Sequence, residues 1–450
     1  MFYFEMCMWK FLIFLGTLYI LYCLFAKQTK KSASSTSILS TSKKDTAIGI
    51  IFGKQGKKIF YSPSDNEGHV FVTGGSGSGK TSSILIPTLN AFQGTFFCID
   101  ISGDISPNVQ KNNKIIFDPE DPTASPYNVF DMIDSLSTLE EQNEALEQLA
   151  YLIMPENINM TDSALFFLTE GRKILTASFL AFYHLGYDFI QICETIYQNN
   201  WKDLFNLIDK TRNPNAIAYI NSFFGTNDQN TAGCKQQTDT AIKLFATNEK
   251  IKRSIRRPHK NELYYSPQQL EDYNVFINIQ DAKLILYAPL MHIITAQSLE
   301  YFSTRPNRNN HTILFALDEF PSLGKLNIIH ALRTLRKKKI RIMILTQSLS
   351  DIDMLYGQNE RICMMNNFDY KVILHAGDPE TQNYFSKLIG QKIILRHSHT
   401  QGNGKKSNTA SEQKDWIIDP TEFSMLSDCL ILIFPTGYIQ LKKNYWFKNE

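Results

Sequence analysis

The longest uninterrupted hydrophobic run lies at the N-terminus of the chain. Residues 11–26 carry no charge, and extending the run back to Met6 gives twenty-one residues interrupted only by Lys10. At a rise of about 1.5 Å per residue this is roughly 31 Å, the thickness of a bilayer core. Lysines follow the run between residues 27 and 31, so the positive-inside rule places the rest of the chain in the cytoplasm. We predict a single-pass transmembrane anchor over residues 1–27, in the cell (inner) membrane.

A cleaved signal peptide is the alternative for this segment. Glu5 precedes the run and residues 24–26 form a poor cleavage site, which disfavours cleavage. The following residues are rich in Ser, Thr and Lys, a composition typical of a flexible linker, and we predict one over residues 28–46. Its positive charge suits contact with anionic lipid headgroups.

Beyond residue 47 the hydrophobic pattern alternates between short apolar, β-branched runs and longer segments with helical spacing. This alternation predicts an α/β fold with a parallel sheet. Residues 48–52 and 58–61 add a predicted hairpin. The predicted strands are 69–73, 95–99, 114–117, 275–279, 312–317, 341–346, 371–375 and 429–434, and the predicted helices are 80–92, 284–303, 325–338 and 379–388.

The pattern changes between residues 128 and 257, where the apolar positions recur at helical spacing throughout. We predict an all-α domain over 128–257, inserted into an α/β domain formed by 47–127 and 258–450. Residues 399–414 are polar and contain few apolar side chains, so we expect a mobile loop there.

Composition narrows the class of protein. The 450 residues carry 46 basic and 44 acidic side chains, a net charge of +2. This near-neutral balance excludes nucleic-acid binding by bulk electrostatics but permits a local basic patch. The seven cysteines include no CxxC pair, which argues against a disulfide scaffold or zinc ribbon and favours a reducing cytoplasm.

A phosphate-binding loop follows the predicted strand 69–73. The segment 74–81 matches G-x-x-x-x-G-K-[ST], in which glycines let backbone N–H groups wrap phosphates. The lysine reaches the β- and γ-phosphates of a nucleotide such as ATP, and the Thr ligates Mg²⁺. The predicted nucleotide-binding residues are Gly74, Gly75, Ser76, Gly77, Ser78, Gly79, Lys80, Thr81 and Ser82.

Two carboxylates end the apolar run 313–317, which we expect to be a neighbour of the loop-bearing strand. Asp318 is predicted to hold the Mg²⁺ shell through water, together with Thr81, and Glu319 to orient the attacking water. Gln347 ends the next strand and is a candidate sensor of the γ-phosphate. The alternative interpretation of Asp318 and Glu319 is a strand that ends in two solvated acids. The alternative interpretation of Gln347 is an amide at a strand end that caps a loop. The chain contains no N-K-x-D segment, which argues against a GTPase. It also contains no LSGGQ-like signature, which argues against an ABC transporter ATPase.

Basic residues cluster at two places, 333–341 and 250–260. The first cluster fits either a solvated helix end or an arginine finger that reaches a neighbouring subunit's nucleotide. The second fits either phosphate contact or a solvated face.

Taken together, six segments make the chain resemble the coupling proteins of type IV secretion. They are GHVFVTGGSGSGKT, CIDISGDI, FDPEDP, ALDEFPSLGKL, ILTQSLSDIDMLYG and GDPETQNYFSKLIG, and the resemblance spans nearly the whole chain. It implies a RecA-like P-loop ATPase motor with an inserted all-α domain that assembles as a homo-hexamer. It also implies Mg²⁺ and ATP as cofactors and, as partners, single-stranded DNA with a bound relaxase and the components of the type IV secretion channel.

The resemblance also implies roles for individual residues. Lys80 and Thr81 match the phosphate-binding pair of the family, and Asp318 and Glu319 match its acidic pair. Gln347 matches its sensor, and Arg336 falls where these proteins place an arginine finger, with Arg333 close by. Asp100 and Asp104 match the ends of a motif usually written D-P-K-G-E, but Ile101 and Ser102 replace its Pro and Lys.

Two departures from the family concern the ends of the chain. Coupling proteins commonly have two membrane helices, whereas one is predicted here, and no long C-terminal tail for substrate adaptors is expected. Two other functions stay open: a double-stranded DNA pump of the chromosome-segregation type, and an adaptor that recruits secretion substrates with little turnover.

Overall fold

The computed structural model describes residues 39–43, 46–156, 160–306, 311–402 and 405–447. The predicted anchor 1–27 lies outside these ranges, as does most of the predicted linker 28–46. Four linker residues, Ser40–Lys43, form a strand because they pair with Lys58–Tyr61 along the edge of the sheet. Within the described ranges, no helix combines the length and the hydrophobicity that a membrane crossing requires.

Twelve strands of the described chain form one sheet, and two more form a separate ribbon. The strands are β1 Ser40–Lys43, β2 Gly49–Gln55, β3 Lys58–Pro63, β4 His69–Thr73, β5 Thr95–Asp100, β6 Lys114–Phe117, β7 Asn274–Asn278, β8 Ile313–Leu317, β9 Ile340–Thr346, β10 Phe368–Ile373, β11 Gln391–Gly402, β12 Lys405–Trp416, β13 Cys429–Phe434 and β14 Gly437–Lys442.

The sheet is mixed and its centre is parallel. Its order is β1-β3-β2-β14-β13-β10-β4-β9-β8-β5-β7-β6. The seven strands from β10 to β6 run parallel, whereas β13, β14 and the β2–β3 hairpin pair antiparallel at one side. The central strands β4, β8 and β9 are buried along their whole length, which explains their continuous apolar composition.

Helices cover both faces of this sheet. They are α1 Ile86–Ala91, α2 Ile105–Asn108, α3 Asp131–Asp134, α4 Leu139–Ile153, α5 Asp162–Tyr183, α6 Phe189–Gln198, α7 Trp201–Lys210, α8 Pro214–Asn221, α9 Asp228–Thr247, α10 Glu249–Ser254, α11 Leu284–Ser303, α12 Ile328–Thr334, α13 Leu349–Met365 and α14 Pro379–Ile389. A π-helical segment, Lys80–Leu85, leads directly into α1. The α/β fold class is confirmed.

The described elements between residues 128 and 257, α3 to α10, are all helices. They share one continuous hydrophobic core with a single face of the sheet, on which Phe71, Phe97 and Phe315 lie. The opposite face, which carries Val70 and Val72, packs against α1. The helical insert therefore has no core separate from that of the α/β domain. The domain boundaries stay predictions.

The structure differs from the predicted elements in two places. Residues 399–414 were expected to form a loop, but β11 and β12 pair antiparallel from Gln391↔Trp416 to Gly402↔Lys405, because backbone hydrogen bonding does not require apolar side chains. Helix α13 was not predicted, and its pattern is broken by Gly357, whose φ of 78° interrupts the helical backbone.

Arg341, counted in the first basic cluster, is an internal residue. Its guanidinium is fully buried and donates to Gly68 O at 3.0 Å, Pro63 O at 2.8 Å and Ser62 Oγ at 3.0 Å. Burial lowers the pKa of this guanidinium to about 10. Arg341 ties β9 to the end of β3 and to Gly68, the residue before β4.

The substitution Arg341→Met is expected to lower the free energy of unfolding by about 3–5 kcal/mol, because it removes three hydrogen bonds donated by a buried charged group. Denaturant unfolding measures this loss. The matched control is Lys337→Met, an exposed cation of the same cluster, which should change stability by less than about 0.5 kcal/mol. A loss below about 1 kcal/mol for Arg341→Met would contradict the assignment.

His69 begins β4 and links it to two neighbouring elements. Its Nε2 lies 2.9 Å from Leu332 O, and its Nδ1 accepts from the N–H of Ile342 at 3.0 Å. Burial, with a contribution from nearby Arg336, lowers the pKa of His69 to about 3. The neutral ring is therefore the form that holds β4, β9 and α12 together.

This lowered pKa predicts acid sensitivity. Unfolded histidine titrates near pH 6.5, so the stabilisation is complete above that pH and is lost progressively as the pH falls toward 3. Between pH 6.5 and 5.5 the loss of stability should be about 1 kcal/mol, and it should approach about 1.4 kcal/mol per pH unit between pH 5.5 and 4. His69→Gln should remove this part of the pH dependence of unfolding, whereas His330→Gln, at an exposed histidine, should keep it. Equal pH dependence in wild type and His69→Gln would refute the prediction.

Candidate functional site

The loop after β4 is folded as a phosphate cradle. Its start is fixed to the neighbouring strand, because the N–H of Gly74 donates to Thr346 O at 3.2 Å. Gly77 and Gly79 have φ angles of 72° and 94°, in the left-handed region that glycine enters without a Cβ penalty. Lys80 Nζ donates to Gly74 O at 2.8 Å, so the ammonium group lies inside the curve of the loop.

The acidic pair faces this loop from the end of β8. Thr81 Oγ1 lies 3.5 Å from Asp318 Oδ2, and Lys80 Nζ lies 3.5 Å from Glu319 Oε1. Glu319 has φ 43° and ψ 49°, a left-handed backbone that is unfavourable for a residue with a Cβ. This strained backbone turns the Glu319 carboxylate toward Lys80, as is common at functional sites.

Asp318 is 4% exposed, whereas the Glu319 side chain is 26% exposed. Burial and then the negative charge of Glu319 raise the pKa of Asp318 to about 7, against the opposing charge of Lys80. A cation bound beside Asp318 would favour its ionised form. A bound metal would thus stabilise the ionised form of the buried Asp318 carboxylate. The Glu319 carboxylate is more accessible and can contact water.

The strand order corrects one expectation. The acidic strand β8 does not neighbour β4, because β9 lies between them. This order places Gln347, at the end of β9, between the phosphate loop and the acidic pair. Gln347 Nε2 donates to Glu319 Oε2 at 3.4 Å, and Thr73 Oγ1 donates to Gln347 O at 3.2 Å. The loop, the acidic pair and the sensor candidate therefore meet at one edge of the sheet.

The residues present fit a nucleotide with Mg²⁺. A hydroxyl and a carboxylate, from Thr81 and Asp318, are the oxygen donors that this cation prefers. The hydroxyl of Ser78 is buried and has no hydrogen-bond partner within the described structure. The cleft holds about 480 Å³ and is lined by the loop from Gly75 to Ser82 and by Glu319.

Arg336 does not join this group. It forms an ion pair with Asp369 at 2.5 Å, near the start of β10. Because β4, β9 and β10 are parallel, this position lies at the opposite edge of the sheet from the phosphate loop, roughly 15 Å away along the strands. Arg333 is exposed, and within the described structure it has no ion pair.

The second basic cluster is largely paired within the chain. Lys250 pairs with Glu120, Lys252 with Glu194 and Arg256 with Glu262, and Arg253 donates to Pro119 O. The contacts of Lys250 and Arg253 join the end of the helical insert to the 117–122 turn. They favour a structural role for the cluster over phosphate binding.

Asp100 also serves the fold. Its carboxylate accepts from the N–H groups of Gly103, Ile105 and Ser106 and from Ser102 Oγ, at 2.8–3.3 Å. Burial raises the pKa of Asp100 against these hydrogen bonds. Asp100 thus shapes the 101–106 turn, and Ser102 and Asp104 line the nucleotide cleft from that turn.

One part of the site was not predicted from the sequence. The segment 443–447, after β14, lies against the phosphate loop, and Trp446 and Phe447 line the cleft. The available signal was the aromatic run Tyr-Trp-Phe at 445–447, which does not show where this segment packs.

Comparison with known proteins gives consistent results. A model of the family described as "Type IV secretory system Conjugative DNA transfer" matches residues 26–450. The protein VirD4 of Agrobacterium fabrum is 24% identical over 415 residues, which cover 88% of this chain and 61% of VirD4. A probable conjugal transfer protein TraG of Sinorhizobium fredii is 25% identical over 426 residues, covering 89% and 65%. The chain thus spans about three fifths of the length of these relatives.

Solved structures show a similar fold. The unbound bacterial conjugative coupling protein TrwBdeltaN70 aligns with a TM-score of 0.71 at 17% identity, covering 90% of this chain and 89% of that one. TrwB in complex with ADP and Mg²⁺ aligns with a TM-score of 0.68 at 19% identity, covering 87% and 89%. At these identities the likeness establishes the fold.

Proposed function

The chain belongs to the type IV secretory system conjugative DNA transfer family, and from this premise we propose that it is a coupling ATPase of conjugation. It links a relaxase–DNA substrate to the type IV secretion channel and uses ATP hydrolysis to drive the transfer of DNA. The observation that carries the proposal is the meeting of Lys80, Thr81, Asp318 and Glu319 at one edge of the sheet. An adaptor without turnover has no use for this arrangement.

In the proposed mechanism the loop 74–81 binds the phosphates with its backbone N–H groups, and Lys80 moves from Gly74 O to the β- and γ-phosphates. Glu319 is then released from Lys80 and orients the attacking water as general base. Gln347, at the end of β9, donates a hydrogen bond to Glu319 and acts as the sensor of the γ-phosphate. Ser82 lines the same cleft.

Thr81 and Asp318 would hold Mg²⁺, Asp318 through water. When bound, this cation neutralises charge on the β- and γ-phosphate oxygens. A solved complex of TrwB with ADP and Mg²⁺ supports the binding of Mg²⁺ together with a nucleotide.

The Arg336 proposal requires a second subunit. Because Arg336 lies across the sheet from its own phosphate loop, its guanidinium serves a neighbouring subunit's nucleotide in a ring, which we take to be a homo-hexamer. Arg333, exposed on the same surface, is the alternative donor. We further propose that residues 1–27 anchor the protein in the inner membrane with the body in the cytoplasm, next to the channel components.

The test is ATP hydrolysis by the full chain in detergent, measured alone, with single-stranded DNA and with double-stranded DNA of equal length. We expect hydrolysis that rises on addition of single-stranded DNA and disappears in Lys80→Ala. Stimulation by double-stranded DNA alone would instead support the chromosome-segregation type of pump. Hydrolysis no greater than that of Lys80→Ala under all three conditions would refute the motor and favour the adaptor.

A further inference from the structure

One wall of the nucleotide cleft has no role in the phosphate chemistry. The cleft, of about 480 Å³, has the size of a small-molecule pocket, roughly 300–1,000 Å³. The loop 75–82 forms one side of it, and Trp446 and Phe447 form another. The proposed mechanism accounts for the loop but leaves these two aromatic rings unexplained.

The segment that carries the rings is fixed to the phosphate loop. The N–H of Trp446 donates to Ser82 O at 3.1 Å, in the first turn after Lys80. Lys443 and Asn444 are buried, and the Tyr445 ring touches the loop so closely that a Cβ on Gly79 would lie 3.3 Å from Tyr445 Cε1. The backbone therefore holds the aromatic wall at a set distance from the site that binds phosphates.

The rings themselves are open to the cleft. Trp446 is 38% and Phe447 is 55% exposed, although large aromatic side chains normally gain from burial. Their centroids are 5.7 Å apart with the ring planes at 90°, so together they form a corner. Polar residues of the 101–108 segment, Ser102, Asp104 and Asn108, line the cleft as well. A flat apolar ligand group with polar edges matches such a corner.

We propose that Trp446 and Phe447 form the stacking platform for the base of the nucleotide whose phosphates the loop 74–81 binds. The proposal rests on the proposed ATPase function and names the part of the ligand that the motif residues do not contact. Stacking on an aromatic face tolerates different bases, because every base has a π-face. Adenine and guanine nucleotides are therefore both accepted by the platform.

Binding of ATP, GTP and inorganic tripolyphosphate to the full chain in detergent tests the platform, by calorimetry with Mg²⁺ present. Trp446→Ala and Phe447→Ala should each weaken ATP and GTP binding by about 5- to 150-fold, the worth of one stacked base. Tripolyphosphate has no base, so its affinity should stay within about twofold of wild type, which also reports that the loop is intact. Trp446→Phe should restore most of the ATP affinity.

The matched control is Phe224→Ala, at an exposed aromatic residue of the helical insert, which should leave all three affinities unchanged. Lys80→Ala should weaken ATP and tripolyphosphate alike. Unchanged ATP affinity in both alanine variants overturns the platform, as does an equal loss for ATP and tripolyphosphate. If wild type binds ATP through the platform but does not hydrolyse it, the ATPase function fails and the platform stands.

Discussion

Glu319→Gln is expected to reduce kcat for ATP hydrolysis by about 10²–10⁴-fold while the affinity for ATP stays within about threefold of wild type. The amide keeps the size of the side chain but cannot accept a proton from the attacking water. Binding persists because the phosphates are held by the loop 74–81 and Lys80, on the opposite side of the site. Steady-state hydrolysis and calorimetric binding measure the two quantities.

Two further variants show whether a loss of kcat without a loss of ATP affinity is specific to Glu319→Gln. Lys80→Ala should weaken ATP binding itself, since it removes the cation inside the loop. Glu67→Gln, at a carboxylate that pairs with Lys339 away from the site, should keep both activity and binding. If Glu319→Gln retained more than about a tenth of the wild-type rate, Glu319 would not be the general base.

Arg336→Ala is expected to lower the hydrolysis rate by about 10³–10⁵-fold, the effect of losing an arginine finger, without loss of ATP binding. Because the finger acts on a neighbouring subunit, mixing Arg336→Ala with Glu319→Gln should restore part of the activity. In such mixed rings, a Glu319→Gln subunit supplies its Arg336 to a site that still has Glu319. Hydrolysis by each variant alone and by mixtures, with subunit exchange verified, measures this.

The ion pair with Asp369 provides the matched control. Asp369→Asn removes the same contact within the subunit, so it should retain most activity if Arg336 acts on a neighbour. An equal loss in Asp369→Asn would show that Arg336 acts only by holding its own subunit together. Loss of ATP binding in Arg336→Ala would exclude the finger, and a large effect in Arg333→Ala alone would assign the role to Arg333.

The central sheet could be predicted from the sequence because its strands are buried on both faces. Such strands are continuous apolar runs: the run at 69–73 coincides with β4, and the runs at 312–317 and 341–346 lie within one residue of β8 and β9. The ribbon β11–β12 could not be predicted in this way. Its order depends on backbone pairing, and apart from residues 393–395 the two segments are polar, so neither shows a periodic hydrophobic pattern.

The phosphate loop and the acidic pair were predictable because their chemistry requires fixed residue types at fixed spacing. Charge alone was a poorer guide. Arg341 and Arg336 belong to one basic run, yet one is buried against backbone carbonyls and the other pairs with Asp369. The contribution of 445–447 to the cleft depends on how the chain returns to the loop after β14, which no local pattern encodes.

The position of β4 in the sheet has a consequence for the synthesis of the protein. Both of its neighbours, β9 and β10, follow it by about 270 residues or more, on the far side of the helical insert. At about 5–20 residues per second, a ribosome needs roughly 15–55 s to make the intervening chain. Until then the segment Gly74–Thr81 has no strand to fix its first residue. A nascent or truncated chain that lacks β9 and β10 should therefore not bind nucleotide. ATP binding should begin only after translation has passed residue 373, where β10 ends.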